Sequence, residues 1–201
     1  MKVVGFCGGS GAGKTTLVEA LILRLRRQGL RVSVVKHAHH GFDIDQPGKD
    51  SHRHRSAGAF EVVVASDRRL AKLREYDAPM EPTAHQLIAE LLDCDWVFVE
   101  GFKHADLPKI EVWRADHARR AHYPDDPFVV AVAADDATRL PVPTGLPVFD
   151  LNDPDAVAAF LLRDPARYDY RSPFDELARP AADAHAAPGA GTPAGGGAAA
   201  G

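Results

Sequence analysis

The residues best equipped for chemistry stand near the start of the chain, where Gly8-Gly9-Ser10-Gly11-Ala12-Gly13-Lys14-Thr15 fits the pattern G-x-x-x-x-G-K-[ST]. Glycines at four of these eight positions let successive backbone N–H groups converge on one point. A helix beginning near Lys14 adds its positive dipole end, so phosphate oxygens meet donors and a favourable field together. The Lys14 ammonium then reaches toward the β- and γ-phosphates, and the Thr15 hydroxyl stands where it can ligate a Mg2+ bridging them. A glycine-rich turn capping an ordinary helix is the plain alternative, but it does not call for the complete motif. The segment is therefore expected to bind a nucleoside triphosphate.

A second group of candidates lies further along. Glu100 ends the apolar run Trp96-Val97-Phe98-Val99, which directs it to the Mg2+–phosphate site as a metal ligand or as the group polarising an attacking water. A salt-bridged rim carboxylate is the competing reading. His37, His39 and His40, with His52 and His54, offer imidazoles for zinc or nickel or for phosphate, although no cysteine pair accompanies them. Asp43, Asp45 and Asp50 could add an acid to the magnesium shell or line a solvated loop, and Arg53 and Arg55 could neutralise phosphate or line a wet helix face. The Asn-Lys-x-Asp guanine reader is absent, because the sole asparagine, Asn152, is followed by Asp153. Asp135, just after an apolar strand, is the candidate carboxylate for guanine N1 and N2 donors.

These side chains need a scaffold, and the hydrophobic pattern supplies an α/β one. Val3 to Cys7 reads as a strand feeding the loop, and Leu17, Val18, Leu21, Ile22 and Leu25 recur at helical spacing up to the terminator Gly29. Arg31 to Lys36 forms the next strand, completing a βαβ unit that delivers His37 to the same rim as the phosphate loop. Asp50 is expected to cap a short basic helix running to Gly58, and Phe60 to Ala65 with Arg69 to Tyr76 reads as a hairpin. Thr83 to Leu92 is predicted helical. Asp95 to Gly101, Lys109 to Arg114, Phe128 to Ala133 and Pro147 to Leu151 are predicted strands, and a helix from Pro154 to Leu162, capped by Asp153, closes the fold. The expected architecture is a P-loop NTPase fold: a mostly parallel twisted sheet flanked by helices, with some antiparallel strands.

The chain has 201 residues, enough for one good α/β core. From about Asp164 it turns rich in Ala, Pro and Gly, so the expected division is a nucleotide-binding domain over 1–163 and a disordered tail over 164–201. A net charge of −4 gives no electrostatic case for nucleic-acid binding. No apolar run approaches membrane-spanning length, and the start at Met-Lys-Val-Val leaves no room for a signal peptide, so a cytoplasmic protein is expected. Cys7 and Cys94, at opposite ends of parallel strands roughly 15 Å apart, are expected to be free thiols.

Taken with their spacing, several segments resemble the MobB family, the molybdopterin-guanine dinucleotide biosynthesis adapter proteins. They are Gly11-Ala12-Gly13-Lys14-Thr15-Thr16, Lys36-His37-Ala38-His39-His40 with Phe42-Asp43-Ile44-Asp45, Pro47-Gly48-Lys49-Asp50-Ser51 through Arg55 with Ala57-Gly58-Ala59, Val99-Glu100-Gly101-Phe102-Lys103, and Pro108-Lys109-Ile110. Family members commonly carry Thr where Ala38 stands. The resemblance implies a GTP-binding protein with weak GTPase activity, usually a homodimer, associated with the MobA nucleotidyltransferase that joins GMP to molybdopterin. It carries a phosphate role onto Gly11 to Thr16 and a magnesium role onto Thr15 and Glu100. A metallochaperone NTPase delivering nickel or zinc is the alternative raised by the histidines. A small-molecule kinase would need an acceptor site and an Arg-rich lid that no segment plainly supplies.

Overall fold

The structure is a computed structural model, and it describes residues 1–38, 41–117 and 120–174. Six parallel strands form the main sheet in the order β2-β5-β1-β6-β7-β8: β1 (Lys2–Cys7), β2 (Val32–Lys36), β5 (Trp96–Glu100), β6 (Lys109–Trp113), β7 (Val129–Ala134) and β8 (Val148–Asp150). β1 lies at the centre, with Phe6 opposite Glu100 on one side and Ile110 on the other. Every residue of β5, β6 and β7 is buried, as expected of a parallel sheet covered on both faces.

Helix α1 (Lys14–Arg27) and the closing helix α4 (Pro154–Arg163) cover one face, burying Leu17, Leu21, Leu25, Val157 and Leu161 against Val4, Phe6, Phe98 and Ile110. Asp153 caps α4 as expected, accepting from the Ala156 N–H at 3.1 Å. The opposite face carries Val3, Val97 and Val99 under α3 (Ala84–Ile88). That helix has the Thr83 start predicted for it, with a reciprocal capping box to Gln86, but ends four residues early. Asp93 takes a left-handed φ of 53°, turning the chain back into β5.

The hairpin expectation also holds: β3 (Glu61–Ala65) and β4 (Leu70–Arg74) pair antiparallel as a separate two-stranded sheet. Next to it in sequence, α2 (Asp50–Ser56) has Asp50 as its first helical residue and Lys49 at the capping position, so Asp50 is a first-turn acid and not the cap. The packed region also runs past the expected boundary at 163. Residues 165–168 form a 3-10 turn, and Tyr168, 1% exposed, packs against Trp96. Residues 1–170 form one compact unit. The expected disorder of the tail concerns residues that lie mostly outside the described ones.

Two buried charges, Lys109 and Glu111, hold the loops beside the site. Lys109, 2% exposed, threads past Gly5, where a Cβ would stand 2.6 Å from its Cγ. Its Nζ donates to the carbonyls of Lys103 (3.0 Å) and Ala105 (2.7 Å) and pairs with Asp126 at 2.6 Å. One ammonium thus ties the 103–106 loop to the 126 loop. Glu111, equally buried, accepts from the backbone N–H groups of His122 (3.0 Å) and Tyr123 (2.7 Å). Burial pushes its carboxyl pKa up, and those two donors work against the shift.

Candidate functional site

The phosphate loop leaves β1 with three glycines in conformations that side-chain-bearing residues rarely adopt, Gly8 (φ 128°), Gly11 (77°) and Gly13 (102°). Gly8 is doubly constrained, since a Cβ there would stand 2.1 Å from the Val112 carbonyl oxygen. Gly13 occupies the N-cap of α1 without any side-chain cap, so the first N–H groups of the helix remain available to a ligand. Lys14 curls over the loop, its Nζ donating to the carbonyls of Gly8 (3.0 Å) and Gly9 (2.8 Å). Burial lowers the Lys14 pKa, and the Glu100 carboxylate opposes that shift.

Thr15 and Glu100 do meet. The Thr15 hydroxyl donates to Glu100 Oε1 at 2.5 Å, and the Lys36 ammonium lies 3.3 Å from each of these oxygens. Glu100 is 7% exposed, so its charge is held largely out of water, with Lys36 as its counter-ion. The donor set is hard oxygen, and a cation already bridges it. Thr15 and Glu100 are therefore the residues that would hold a magnesium ion, with the half-exposed Lys36 displaced from their oxygens.

These groups form one wall of a cavity of about 1040 Å3, completed by His37, Glu81, Thr83, His85 and the segment Gly101–Asp106. Its volume lies at the upper end of the usual range for a small-molecule or cofactor site. Two strand ends are pinned together beneath it. The His37 N–H donates to the Glu100 carbonyl (3.0 Å), and Gly101, with φ 103°, leaves no space for a Cβ, which would stand 2.8 Å from the His37 Cβ. The His37 ring packs against Phe102 and its Nε2 lies 3.3 Å from Glu81.

The placements of the other predicted residues differ. Gly8, Ser10, Gly11, Gly13, Lys14, Thr15 and Thr16 line the cavity; Gly9 and Ala12 line a second one next to it. Asp135 lines neither, because its carboxylate accepts from the Ala115 N–H at 3.3 Å. Asp43 and Asp45 are not magnesium acids either, since both pair with Arg55 at 3.1 Å, and Glu75 joins the same guanidinium at 2.6 Å. Arg55 is accordingly neutralised by carboxylates and not held open for phosphate, and its pKa is pushed up, first by the Glu75 hydrogen bond. Arg53 pairs with Asp50 on an exposed face, and the His52 ring lies 3.4 Å from the Ser56 hydroxyl. His39 and His40 lie outside the described residues. Among the described residues no group of three His, Cys, Asp or Glu side chains could hold a metal ion. Both cysteines are free, and burial with the nearby Glu111 carboxylate pushes the Cys7 thiol up to about 12. Among the described residues no helix is long and apolar enough to cross a membrane.

Sequence reasoning missed Lys36 as the counter-ion of Glu100, and missed Lys109 as the anchor of the cavity's 103–106 wall. A lysine ending a strand beside the phosphate loop is a signal for the first. The second has no such signal, because Lys109-Ile110-Glu111-Val112 alternates polar and apolar residues as a half-wet strand does.

Comparison with known proteins agrees with this geometry. The family model described as MobB, molybdopterin guanine dinucleotide synthesis protein B, matches residues 3–135. The molybdopterin-guanine dinucleotide biosynthesis adapter protein of Escherichia coli K12 is 38% identical over 169 residues, covering 81% of this chain and 92% of that protein. Its counterpart in Haemophilus influenzae is 38% identical over 163 residues, covering 80% and 88%. Among solved structures, a MobB homologue from Bacillus stearothermophilus superposes with a TM-score of 0.62 at 27% identity, covering 82% of this chain and 97% of that one. With a phosphate loop, a strand-end acid and a parallel sheet in the arrangement that the motifs implied, this chain belongs to the MobB family.

Proposed function

We propose that the chain is a GTP-binding adapter in molybdopterin guanine dinucleotide biosynthesis, with slow Mg2+-dependent GTPase activity. The single observation that carries the reading is the cluster of Lys14, Thr15, Lys36 and Glu100 under an open helix N-terminus, in a chain whose relatives carry that adapter name. Gly8 to Thr16 cradle the phosphates, Lys14 turns from its own loop carbonyls toward the β- and γ-phosphates, and Thr15 and Glu100 hold the magnesium ion. A magnesium ion held by these two residues would supply charge neutralisation at the phosphates, and Glu100 is also placed to orient an attacking water. Apart from Glu100, the carboxylates lining the cavity, Glu81 and Asp106, are paired with His37 and His85, so the preference for GTP over ATP rests on the family reading, and Asp135 takes part only if its loop rearranges.

A weak hydrolase gains function when its nucleotide state alters a partner, here a MobA-type nucleotidyltransferase that joins GMP to a molybdopterin-type cofactor. The adapter is proposed to work in the cytoplasm as a homodimer, for which the exposed apolar side chains of Val63 and Leu70, on one side of the hairpin, offer a face.

Titration with GTP and Mg2+ tests the reading. Lys14→Ala is expected to lower GTP affinity by at least about tenfold, the worth of one lost charge-assisted contact. Glu100→Gln keeps size and removes charge, so hydrolysis should fall further than binding. Unchanged GTP affinity in Lys14→Ala overturns the nucleotide assignment, and unchanged hydrolysis in Glu100→Gln returns that residue to a structural role. Reconstituted dinucleotide synthesis that ignores both the protein and its nucleotide state would overturn the adapter role.

A further inference from the structure

Next to the nucleotide cavity lies a second one of about 600 Å3, sharing Gly8, Ser10 and Lys103 with it and walled by Trp113, Arg114 and His117. We propose that this second cavity binds a small organic phosphomonoester while the first holds nucleoside triphosphate. The proposal rests on the nucleotide reading of the first cavity.

Charge points to the class of ligand. The chain is net negative, and about half of its described lysine and arginine side chains are matched to carboxylates, as in Arg24 with Asp155, Arg55 with Asp43 and Asp45, and Arg74 with Glu61. Lys103 and Arg114 are among the unmatched ones, and among the described residues neither side chain has an ion pair or hydrogen bond. Among the described residues no carboxylate lines the cavity, and Arg120 at its rim is already paired with Asp125. An ammonium and a guanidinium left open on one wall suit a dianion, and the second ionisation of a phosphomonoester, near pH 6, provides one at neutral pH.

Size and polarity point to an organic body. A phosphate ion alone would leave most of 600 Å3 unfilled. Trp113 is 6% exposed, and its indole N–H is buried without an acceptor among the described residues. That nitrogen has no accessible surface, so an organic ligand would meet the wall through its cations and backbone and not through the indole N–H. The wall is also built to hold its shape. Glu111 anchors the chain at His122 and Tyr123, and Lys109 anchors it at the Lys103 carbonyl. The Arg114 guanidinium comes within 3.6 Å of where a Gly13 Cβ would stand, and His117 within 3.2 Å of one at Gly11, so an occupant would sit against the phosphate loop itself.

The probe is 6-hydroxymethylpterin phosphate, a fluorescent organic phosphomonoester, followed by anisotropy on the full chain. Unphosphorylated 6-hydroxymethylpterin and inorganic phosphate serve as controls. With the first cavity saturated by a non-hydrolysable GTP analogue and Mg2+, the probe is expected to bind, and both controls at least about tenfold more weakly. Arg114→Gln should weaken the probe by about tenfold and leave GTP affinity within about twofold, and Arg114→Lys should recover part of the loss. Retained GTP affinity also reports that the variants fold. Displacement of the probe by the analogue would make the second cavity part of the nucleotide site and overturn the proposal. So would an equal loss of GTP and probe in Arg114→Gln, or equal binding of the phosphorylated and unphosphorylated pterins. If GTP fails to bind the parent protein, the nucleotide reading falls on that titration alone. A probe titration without nucleotide then decides the cavity: Arg114-dependent binding supports it, and absence of binding overturns it.

Discussion

The main sheet and the hairpin are both β-structure, yet they are held by different forces. β5, β6 and β7 are buried along their whole length, with the few charges among them anchoring loops at the site. β3 and β4 expose Val63, Val64 and Leu70, and their polar links are ionic: Arg74 and Lys72 each pair with Glu61 on the facing strand and with Glu90 beyond the hairpin. Apolar burial is insensitive to salt and scales with area removed from water, whereas exposed ion pairs are screened and individually weak. Rigidity is therefore concentrated where the phosphate loop hangs, and the hairpin is the part whose conformation can answer to a partner or to ionic strength.

This contrast breaks hardest at Lys109. Lys109→Ala leaves Asp126 without its cation and two loop carbonyls without a donor, so a loss of roughly 3–5 kcal/mol is expected in urea unfolding. Nucleotide affinity should fall with it, because the 103–106 wall loses its tether. A stability loss under about 1 kcal/mol would mean that the buried ammonium is not the anchor described.

Gly8→Ala tests the loop more locally. The new Cβ meets the Val112 carbonyl and the φ of 128° is unfavourable for alanine, so GTP binding should be abolished while the sheet still unfolds cooperatively. Near-parental affinity would show a loop able to re-form around the methyl group. Gly5→Ala is a milder overpacking against the Lys109 stem and should cost about 1–3 kcal/mol.

The smallest effect belongs to the hairpin. Arg74→Ala, or 1 M NaCl on the parent chain, should hasten amide exchange in β3 and β4 with little change in β1 and β5. Equal acceleration in both sheets would erase the distinction between them.

Much of this was readable from the chain, for physical reasons that differ by residue. Gly8 to Thr15 is legible because its chemistry is local: glycine spacing, the lysine and the hydroxyl occupy one turn. Glu100 is legible because a strand in a parallel sheet delivers its last residue to the ligand rim. Lys109 and Glu111 are not, since a polar–apolar alternation normally reads as one wet face, and only the covering loops, distant in sequence, make both charges internal. Asp43 and Asp45 misled because an acid near a phosphate loop suggests a metal ligand, while the competing claim of Arg55 depends on how α2 packs. The early end of α3 reflects a tightening of the chain after Ile88, where the Glu90 and Leu91 N–H groups bond three residues back to Leu87 and Ile88, which the apolar spacing does not signal. The boundary at 163 was drawn from composition, which cannot register one buried side chain such as Tyr168 within a Pro- and Arg-rich stretch.

The strand β1 that ends in the phosphate loop begins beside the last residues of the same compact unit. Lys2 bridges Asp169 antiparallel, and the Tyr170 N–H donates to the Met1 carbonyl at 3.2 Å. Residues 1–170 therefore close almost into a ring, and where the ring is cut matters little to the sheet. A circular permutant that joins 170 to 1 by a short linker and opens at the Ser66–Arg69 turn would move both new ends onto the exposed hairpin and keep the order β2-β5-β1-β6-β7-β8 intact.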